Sequence, residues 1–319
     1  MTVATAAVGV DVGGTGTKAA VVTSDGKIMA RVQQPTDPLA GTKSTISVVE
    51  ELLSQPREFE AAIGAIGVGA AGFIDAASGS VTFSPNLIYD DPHIADALRT
   101  RVGLPVIVDN DANAAAWGER AFGCARGSDD VSLMTLGTGI GSGFIVAGRL
   151  IRGSTGAGAE MGHTIVDPKG SLCGCGLRGC LEQAASGTAI TRMAKEALAS
   201  EPDSLILALA GSIAQVRSEH VSQAAAEGDE TARVVLQRAG RSLGIGLSNV
   251  VNLFDPEVIV LGGGLVDVGE PYLGPARDQL FKMTTDQHRR AVRLDVTALR
   301  HDAGILGAAA LAFDLLEEL

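Results

Sequence analysis

The sequence predicts an α/β fold made of two similar halves. Short apolar runs typical of strands alternate with longer helical stretches along 319 residues. The chain is 46% hydrophobic but only 3% aromatic and contains 41 glycines, as in aliphatic α/β proteins with many glycine turns. Two glycine-containing segments, 13–22 and 69–75, are echoed by 137–146 and 262–267. This repetition predicts two domains of one topology.

The elements of the first half follow from its hydrophobic pattern. Two apolar strands are joined by a glycine turn, and two further strands follow with helices between them. The predicted strands are 6–12, 18–22, 63–69 and 105–109, and the predicted helices are 45–53 and 92–102. A domain boundary near residue 110 is expected, because the second copy of the pattern begins after it.

The second half repeats the order with longer connections. A strand over 131–136 turns through glycines and returns as 143–147, and the segment 257–267 is again a strand that meets glycines. The cysteine-rich segment lies in the extra residues of this half.

Charge and composition exclude several classes of protein. A formal net charge of −12 argues against nucleic acid as a partner, because phosphate backbones are bound by basic patches. The longest apolar run, 61–74, is shorter than the about 20 residues that a membrane span needs, so no membrane partner is expected. The start of the chain lacks the basic region of a signal peptide, and the cysteines do not form a secreted disulfide framework. The chain is expected to be cytoplasmic.

Two glycine turns between strands are candidate phosphate loops. In "DVGGTGTK" (11–18), glycines let backbone N–H groups approach an anion, Thr15 and Thr17 add hydroxyl donors, and Lys18 adds a charge. Asp11 at the strand end could orient a hydrated magnesium ion. "LGTGIGSG" (136–143) repeats the turn. The alternative is two ordinary β-hairpins. Neither turn is a Walker A loop or a dinucleotide fingerprint, which disfavours a nicotinamide dehydrogenase.

Four polar residues follow a buried strand in "LPVIVDNDANAAAWGERAFG". Asp109, Asn110, Asp111 and Asn113 exceed what the N-cap of the next helix requires. Ligands of open α/β sheets bind beyond the carboxyl ends of the strands. A carboxylate here could accept the proton of a hydroxyl that attacks a phosphoryl group. The residues alone leave Asp109 and Asp111 as alternatives.

A cluster of three cysteines and one histidine predicts a structural zinc site. Cys173, Cys175 and Cys180 form C-x-C-x4-C, and His163 lies ten residues upstream of the first. Three thiolates with one imidazole are a closed, tetrahedral zinc set, and the intervening glycines let the backbone wrap around one ion. No redox C-x-x-C is present, and a disulfide is not expected in a reducing compartment. The alternative is a group of buried thiols.

Two glutamates bracket the cysteine cluster. Glu160 and Glu182 are either surface carboxylates at helix ends or partners of a histidine whose orientation the metal fixes. A rigid imidazole between two carboxylates is a good receptor for vicinal hydroxyl groups. This segment is therefore a candidate site for a ligand that carries vicinal hydroxyl groups.

The motifs together resemble the ROK family (repressor, open reading frame, kinase) of the sugar kinase/actin/Hsp70 superfamily. Within it, the chain is most similar to bacterial, particularly actinobacterial, ATP-dependent glucokinases. The motifs run in the family's order through nearly the whole chain: "DVGGTGTK" (11–18), "GAAGFID" (69–75), "SPNL" (84–87), "DNDANAA" (109–115), "LGTGIGSG" (136–143), "GAEMGH" (158–163), "CGCGLRGCLE" (173–182), "VIVLGGG" (258–264) and "HDAGILGAA" (301–309). The cysteine motif with its upstream E-x-G-H is the most specific.

The resemblance implies a role for each matching residue. Asp111 matches the catalytic base. The implied sugar contacts are Gly72, Asn86, Asn110, Asp111, Glu160, His163 and Glu182. The implied nucleotide and phosphate contacts are Gly13, Gly14, Thr15, Lys18, Thr138, Gly139, Gly262, Gly263 and Gly264. Asp11 and Thr17, singled out above, complete the predicted set. The implied zinc ligands are His163, Cys173, Cys175 and Cys180.

The resemblance also implies the architecture. The family has the two-domain, ribonuclease H-like fold of sugar kinases, actin and Hsp70, with a cleft between the domains. In this chain the smaller N-terminal α/β domain would comprise 1–110 with 301–319, its final helix packing back on it. The larger C-terminal domain, 111–300, would carry the zinc site.

The implied activity is transfer of the γ-phosphoryl group of ATP, with Mg²⁺, to the 6-hydroxyl of D-glucose. Glucose and ATP are then the partners, the zinc is structural, and a homodimer or homotetramer is expected from the resemblance. One alternative is a ROK kinase for mannose, fructose, N-acetylglucosamine or N-acetylmannosamine. The other is a non-catalytic sugar sensor or a repressor, although the first phosphate loop begins at residue 11 and leaves no room for an N-terminal DNA-binding domain.

Overall fold

A computed structural model describes residues 6–56, 61–286 and 292–319. The strands are β1 (Ala6–Val12), β2 (Gly16–Thr23), β3 (Ile28–Pro35), β4 (Ile63–Ala70), β5 (Phe73–Asp75), β6 (Ser80–Phe83), β7 (Val106–Asn110), β8 (Val131–Leu136), β9 (Ile140–Val146), β10 (Arg149–Leu150), β11 (Val258–Gly262) and β12 (Arg293–Val296). The α-helices are α1 (Gly41–Ser54), α2 (Ile94–Val102), α3 (Asp111–Phe122), α4 (Glu182–Ala185), α5 (Gly187–Ala197), α6 (Leu205–Ala210), α7 (Ser218–Ala226), α8 (Glu230–Phe254), α9 (Glu270–Lys282) and α10 (Ala303–Glu318).

The first sheet has the order β3-β2-β1-β4-β7. β1 to β3 form an antiparallel meander, while β4 and β7 add parallel to β1. β1 and β4 are almost wholly buried, because side chains on both of their faces are covered. The carboxyl ends of β1, β4 and β7 therefore lie at one edge of the sheet, where Asp11 and Asn110 are found.

The second sheet repeats the strand order of the first. Its order is β10-β9-β8-β11-β12. If the five strands of each sheet are numbered by their order in the chain, both sheets have the order 3-2-1-4-5. The short hairpin β5-β6 stands outside this pattern as a sheet of two strands. The repetition expected from the glycine segments is thus present in the strand order of the described residues.

The contacts within the chain divide it into two units. Unit 1 comprises Met1–Leu133, Gly143–Ala159 and Thr297–Leu319, and unit 2 comprises Met134–Ser142 and Glu160–Val296. Residues 111–133 thus group with the N-terminal part of the chain. The domain boundary near residue 110 stays a prediction.

The last helix packs directly on the first sheet. A Cβ atom on Gly67 of β4 would lie 1.7 Å from the carbonyl oxygen of Ala308, and one on Gly9 of β1 would lie 2.0 Å from that of Ile305. Only glycine allows this approach of α10 to β1 and β4. Among the described residues, no helix is both long and apolar enough to span a lipid bilayer.

Candidate functional site

The first glycine turn joins β1 to β2 in unit 1. Gly13 N donates to Gly16 O (3.1 Å), which closes a tight turn whose tip, Gly14 and Thr15, is exposed. The backbone N–H groups of such a turn can bind an anion. The predicted phosphate-binding residues at the tip are therefore accessible to a ligand.

Thr17 was expected to donate its hydroxyl to a phosphate, but the structure places its side chain inside the protein. Its side chain is fully buried, and its hydroxyl is 2.8 Å from the hydroxyl of Thr36, which donates to Gly13 O (2.7 Å). Thr17 and Thr36 thus hold the turn from inside the protein. Thr36 carries no signal in the sequence analysis, because its contact is made across β2 and β3.

Asp11 and Lys18 face each other at the base of this turn. The Lys18 ammonium is 3.9 Å from the Asp11 carboxylate, and each side chain is about one-quarter exposed (28% and 25%). Burial raises the pKa of the Asp11 carboxyl, and the positive charge of Lys18 acts in the opposite direction. A single carboxylate beside a phosphate-binding turn fits the few protein ligands that Mg²⁺ takes.

The end of β7 and the start of α3 carry the candidate base. Asn110 caps the helix, its Oδ1 accepting from Ala112 N (2.9 Å) and Asn113 N (3.1 Å), while its Nδ2 donates to Gly72 O (3.1 Å). Asp111, the first helical residue, is half-buried. Two of the predicted sugar contacts, Gly72 and Asn110, are therefore joined in unit 1 by one hydrogen bond.

The two candidate aspartates have different surroundings. Asp109 is 1% exposed, and both its carboxylate oxygens accept hydrogen bonds, from Asn110 N, Asn113 Nδ2 and Arg152 Nε. A carboxylate so enclosed cannot reach a substrate hydroxyl. Asp111 is the more accessible of the two.

Tyr89 is a neighbour of Asp111 that the sequence analysis did not single out. Burial raises the pKa of its phenol far above the ordinary value, and the negative charge of Asp111 adds to this shift. Its hydroxyl donates to Ala71 O (3.1 Å). Asn86, on the segment before Tyr89, is exposed, and its carbonyl oxygen would lie 3.9 Å from a Cβ on Gly14.

The second glycine turn joins β8 to β9 in unit 2. Gly137 N donates to Gly139 O (3.0 Å), and the turn is held by the start of α5, where Gly187 N donates to Gly137 O (2.8 Å) and Thr188 Oγ1 donates to Thr138 O (2.8 Å). The predicted phosphate contacts Thr138 and Gly139 are thus fixed through the backbone.

A cavity of about 830 Å³ in unit 2 opens beside this turn. Its lining includes Thr138, Thr188, Arg217, Gly264 and Asp267. This volume lies in the range of pockets for small molecules and cofactors. Three predicted glycines lie at the end of β11. Gly262 is buried as its last residue, and Gly264 lines the cavity. Gly263 has a positive φ of 83°, and a Cβ there would lie 2.4 Å from Leu136 O.

The predicted zinc ligands converge in unit 2. One donor atom from each of His163, Cys173, Cys175 and Cys180 lies within 4.8 Å of the others. Cys173 Sγ is 3.7 Å from His163 Nδ1, and Cys175 Sγ is 3.6 Å from Cys180 Sγ. Ligands about 2.3 Å from a tetrahedral ion are about 3.8 Å apart, so this group fits zinc.

The thiols differ in their surroundings. Burial raises the pKa of Cys180 to about 12, whereas hydrogen bonds, first from the Leu177 backbone, lower that of the exposed Cys175. A coordinated metal deprotonates its thiol ligands outright. Because Nδ1 of His163 faces the thiols, its Nε2 is left to point elsewhere.

The two predicted glutamates lie near this cluster. Glu182, the first residue of α4, accepts through Oε2 from Ile140 N (3.0 Å), and Cys173 Sγ is 4.0 Å from its Oε1. A Cβ on Gly139 would lie 2.4 Å from Glu182 Oε2, so a larger residue there would displace the Glu182 carboxylate. Burial raises the pKa of Glu160, His163 acts in the opposite direction, and Glu182 adds to the rise. Glu160, His163, Glu182 and the second glycine turn thus form one cluster.

Comparison with known proteins places the chain in a family. The ROK family model matches residues 7–314. The Glucokinase of Streptomyces coelicolor is 40% identical over 311 residues, covering 96% of each chain, and that of Thermotoga maritima is 38% identical over 307 residues, covering 95% of this chain and 96% of the relative.

A solved structure shows the same similarity. The ROK family glucokinase from Streptomyces griseus, in complex with glucose and AMPPNP, has a TM-score of 0.82 and 39% identity, covering 97% of this chain and 99% of its own. The predicted resemblance, the two-domain actin/Hsp70-like fold and the predicted enzyme class, a sugar kinase, are confirmed. The chain therefore belongs to the ROK family.

Proposed function

We propose that this protein transfers the γ-phosphoryl group of ATP to the 6-hydroxyl of D-glucose. The observation that carries the proposal is the half-buried Asp111 at the start of α3, beside an Asp109 whose carboxylate is fully engaged within the protein. The identity of about 40% to proteins named Glucokinase supports glucose as the acceptor.

In this mechanism Asp111 accepts the proton of the sugar hydroxyl as its oxygen attacks the γ-phosphorus. An aspartate suits this role because the proton becomes acidic only as the new bond forms, so a weak base in position is sufficient. The hydrogen bonds of Asn110 to Ala112 N, Asn113 N and Gly72 O fix the backbone that carries the base.

The two glycine turns are the proposed phosphate contacts. Their N–H groups would donate to phosphate oxygens and stabilise the charge that develops during transfer. Asp11 is the proposed residue for Mg²⁺, which supplies neutralisation of phosphate charge when bound with ATP. The cavity beside Thr138 has room for the base and ribose of a nucleotide.

The proposed sugar receptor consists of Glu160, His163 and Glu182, with Asn110, Asn86 and Gly72 as further contacts. Carboxylates accept hydrogen bonds from sugar hydroxyls, and the Nε2 side of the imidazole gives a partner of fixed direction. The Cys₃His group would hold a structural zinc ion, which orders the loop between residues 163 and 180.

A coupled assay with purified protein tests this function. ATP consumption would be measured with glucose, mannose, fructose, N-acetylglucosamine and N-acetylmannosamine, and with polyphosphate as a second donor. We expect the highest kcat/KM with glucose and ATP. A clear preference for another sugar would reject glucose as the substrate, and no turnover with any sugar would reject the kinase.

Asp111→Ala should retain glucose binding and lose turnover. Removal of a general base typically lowers the rate by about 10²–10⁴-fold. The control is Asp96→Ala on α2, whose carboxylate is exposed and pairs with Arg99 on the same helix. Unchanged kcat in the Asp111 variant, measured by the same coupled assay with glucose affinity from calorimetry, would reject the assignment.

A further inference from the structure

We propose that Arg152 is a positioning residue for the reaction, acting on Asp111 through Asp109. The inference rests on the proposed function of Asp111 as base. Neither the motifs of the sequence nor the predicted site includes Arg152, because it lies in a glycine-rich loop 41 residues after Asp111.

The guanidinium of Arg152 binds the buried carboxylate of Asp109. Arg152 Nε lies 2.6 Å from Asp109 Oδ2, with 2% of the Asp109 side chain and 34% of the Arg152 side chain exposed. A hydrogen bond between opposite charges at this distance is among the stronger kinds in proteins. Arg152 therefore places a compensating positive charge beside this buried carboxylate.

The other oxygen of Asp109 binds one residue on each side of Asp111, the backbone of Asn110 and the side chain of Asn113. Asp109 Oδ1 accepts from Asn110 N (2.8 Å) and from Asn113 Nδ2 (2.9 Å). These two residues enclose Asp111 at the junction of β7 and α3. The direction in which the Asp111 side chain leaves the backbone is thus set by the position of the Asp109 carboxylate.

The main chain at Arg152 is itself firmly held. Its carbonyl oxygen accepts from Gly158 N (3.0 Å), and the preceding residue, Ile151, donates from N to Phe144 O (2.8 Å). Within this loop a Cβ on Gly156 would lie 1.8 Å from Ile74 O, so the loop packs closely on β5. Arg152 is thus a fixed support for Asp109.

Without the guanidinium, Asp109 would keep a buried charge with no compensating partner. Burying an unpaired charge is costly, so such a carboxylate should move toward water, which changes its bonds to Asn110 and Asn113. A displacement of the base by about 1 Å can lower the rate by about 10²-fold. Sugar affinity should change much less, because Asn110 keeps its separate bonds to Gly72 and Ala112.

The test compares Arg152→Gln in two backgrounds, the natural chain and Asp109→Asn. We expect Arg152→Gln to lower kcat at least tenfold with less than a threefold change in sugar KM, and to lower the unfolding temperature. In the Asp109→Asn background, residue 109 carries no charge, so the same substitution should have a much smaller effect on kcat and on the unfolding temperature. Arg149→Gln, an exposed arginine on β10, is the charge-matched control and should leave kcat unchanged.

The outcomes distinguish an Arg152 that acts through Asp109 from one that acts independently of it. Equal loss of kcat in both backgrounds, or a rise in sugar KM with kcat intact, would overturn the proposal, since Arg152 would then act independently of Asp109. Unchanged kcat in Arg152→Gln would overturn it as well. The assay uses whichever hexose the panel identifies, so failure of glucose as substrate is distinguished from failure of this inference. The unfolding temperatures of the two single variants and the double variant measure the coupling of Arg152 to Asp109 without any turnover.

Discussion

At the scale of single residues, two aspartates at strand ends show two ways of keeping a carboxylate inside a protein. Asp109 at the end of β7 has a guanidinium at 2.6 Å and two further donors. Asp11 in β1 lies 3.9 Å from the Lys18 ammonium, and burial raises its pKa. The charge of Asp11 is thus less well compensated than that of Asp109.

This difference predicts that Asp11→Asn stabilises the protein at neutral pH. Because the folded pKa of Asp11 is raised, the folded state disfavours its charge, and removing the charge removes that penalty. As the pH falls through the raised pKa, the natural Asp11 takes up a proton in the folded state first, so the advantage of the variant should shrink. Thermal unfolding between pH 7 and pH 4 measures this trend.

Asp25→Asn is the control of opposite sign. Asp25 is exposed, and the hydrogen bond from Thr23 lowers its pKa. Its charge therefore stabilises the folded state above the ordinary pKa, and the variant should be slightly less stable than the natural chain at neutral pH. An Asp11→Asn protein that is less stable at neutral pH would contradict the account of Asp11.

Residue identities at the site could be predicted from the sequence where the local pattern contains them. The cysteine spacing and the upstream histidine predicted four zinc ligands, and the structure brings one donor atom of each within 4.8 Å of the others. The choice between Asp109 and Asp111 could not be made from the residues alone, because it depends on Arg152. Thr36 and Arg152 were missed for the same reason: their partners lie 23 and 43 residues away in sequence, at Gly13 and Asp109.

At the scale of elements, the loop from His163 to Cys180 has little regular structure to hold it. Its order rests on a few backbone hydrogen bonds, such as Val166 N to Gly179 O (2.9 Å) and Cys173 N to Leu177 O (2.7 Å), and on the four side chains that converge. Ordering a residue costs about 1–2 kcal/mol of backbone entropy, which metal binding can offset.

Cys175→Ser should therefore release zinc and abolish sugar binding. With one thiolate fewer, the ion loses a ligand and His163 loses the partner that fixes its ring. Zinc content by atomic absorption and glucose affinity by calorimetry would measure both effects. Cys124→Ser, outside the cluster, should keep zinc at one ion per chain, and normal glucose affinity in zinc-free Cys175→Ser protein would contradict the receptor role.

Elements with a strong hydrophobic run were predicted well, whereas the edge strand β3 was not. β1 and β8 have the predicted bounds, since each is a nearly continuous buried run. β3 was missed, because it is an edge strand of exposed and partly buried residues, in which Val32 alone is buried. α1 extends four residues before its predicted start, since its first turn, Gly41 to Ser44, contains no large apolar residue.

At the scale of the molecule, the common strand order explains why two glycine turns exist. In each sheet the turn follows the first main strand and leads to the antiparallel second strand. The sequence analysis expected this repetition from short glycine echoes, but the strand order itself could not be derived, because it depends on pairings between distant segments such as β1 with β4.

The packing of α10 predicts that Gly67→Ala destabilises the protein. The added Cβ would lie 1.7 Å from Ala308 O, so α10 would have to move away from β4. Inserting atoms into a packed core typically costs about 1–3 kcal/mol. Urea unfolding followed by circular dichroism measures the change. An unchanged midpoint would show that α10 does not rest on the sheet at this position.

The return of α10 to the first sheet also sets the order in which the units are completed. Ribosomes add residues from the N-terminus onward, so Thr297–Leu319 is made after every residue of unit 2. Unit 2 therefore has all of its sequence while unit 1, begun first, still lacks the helix that covers β1 and β4. A nascent chain that stalls before residue 297 should expose that apolar sheet face to chaperones.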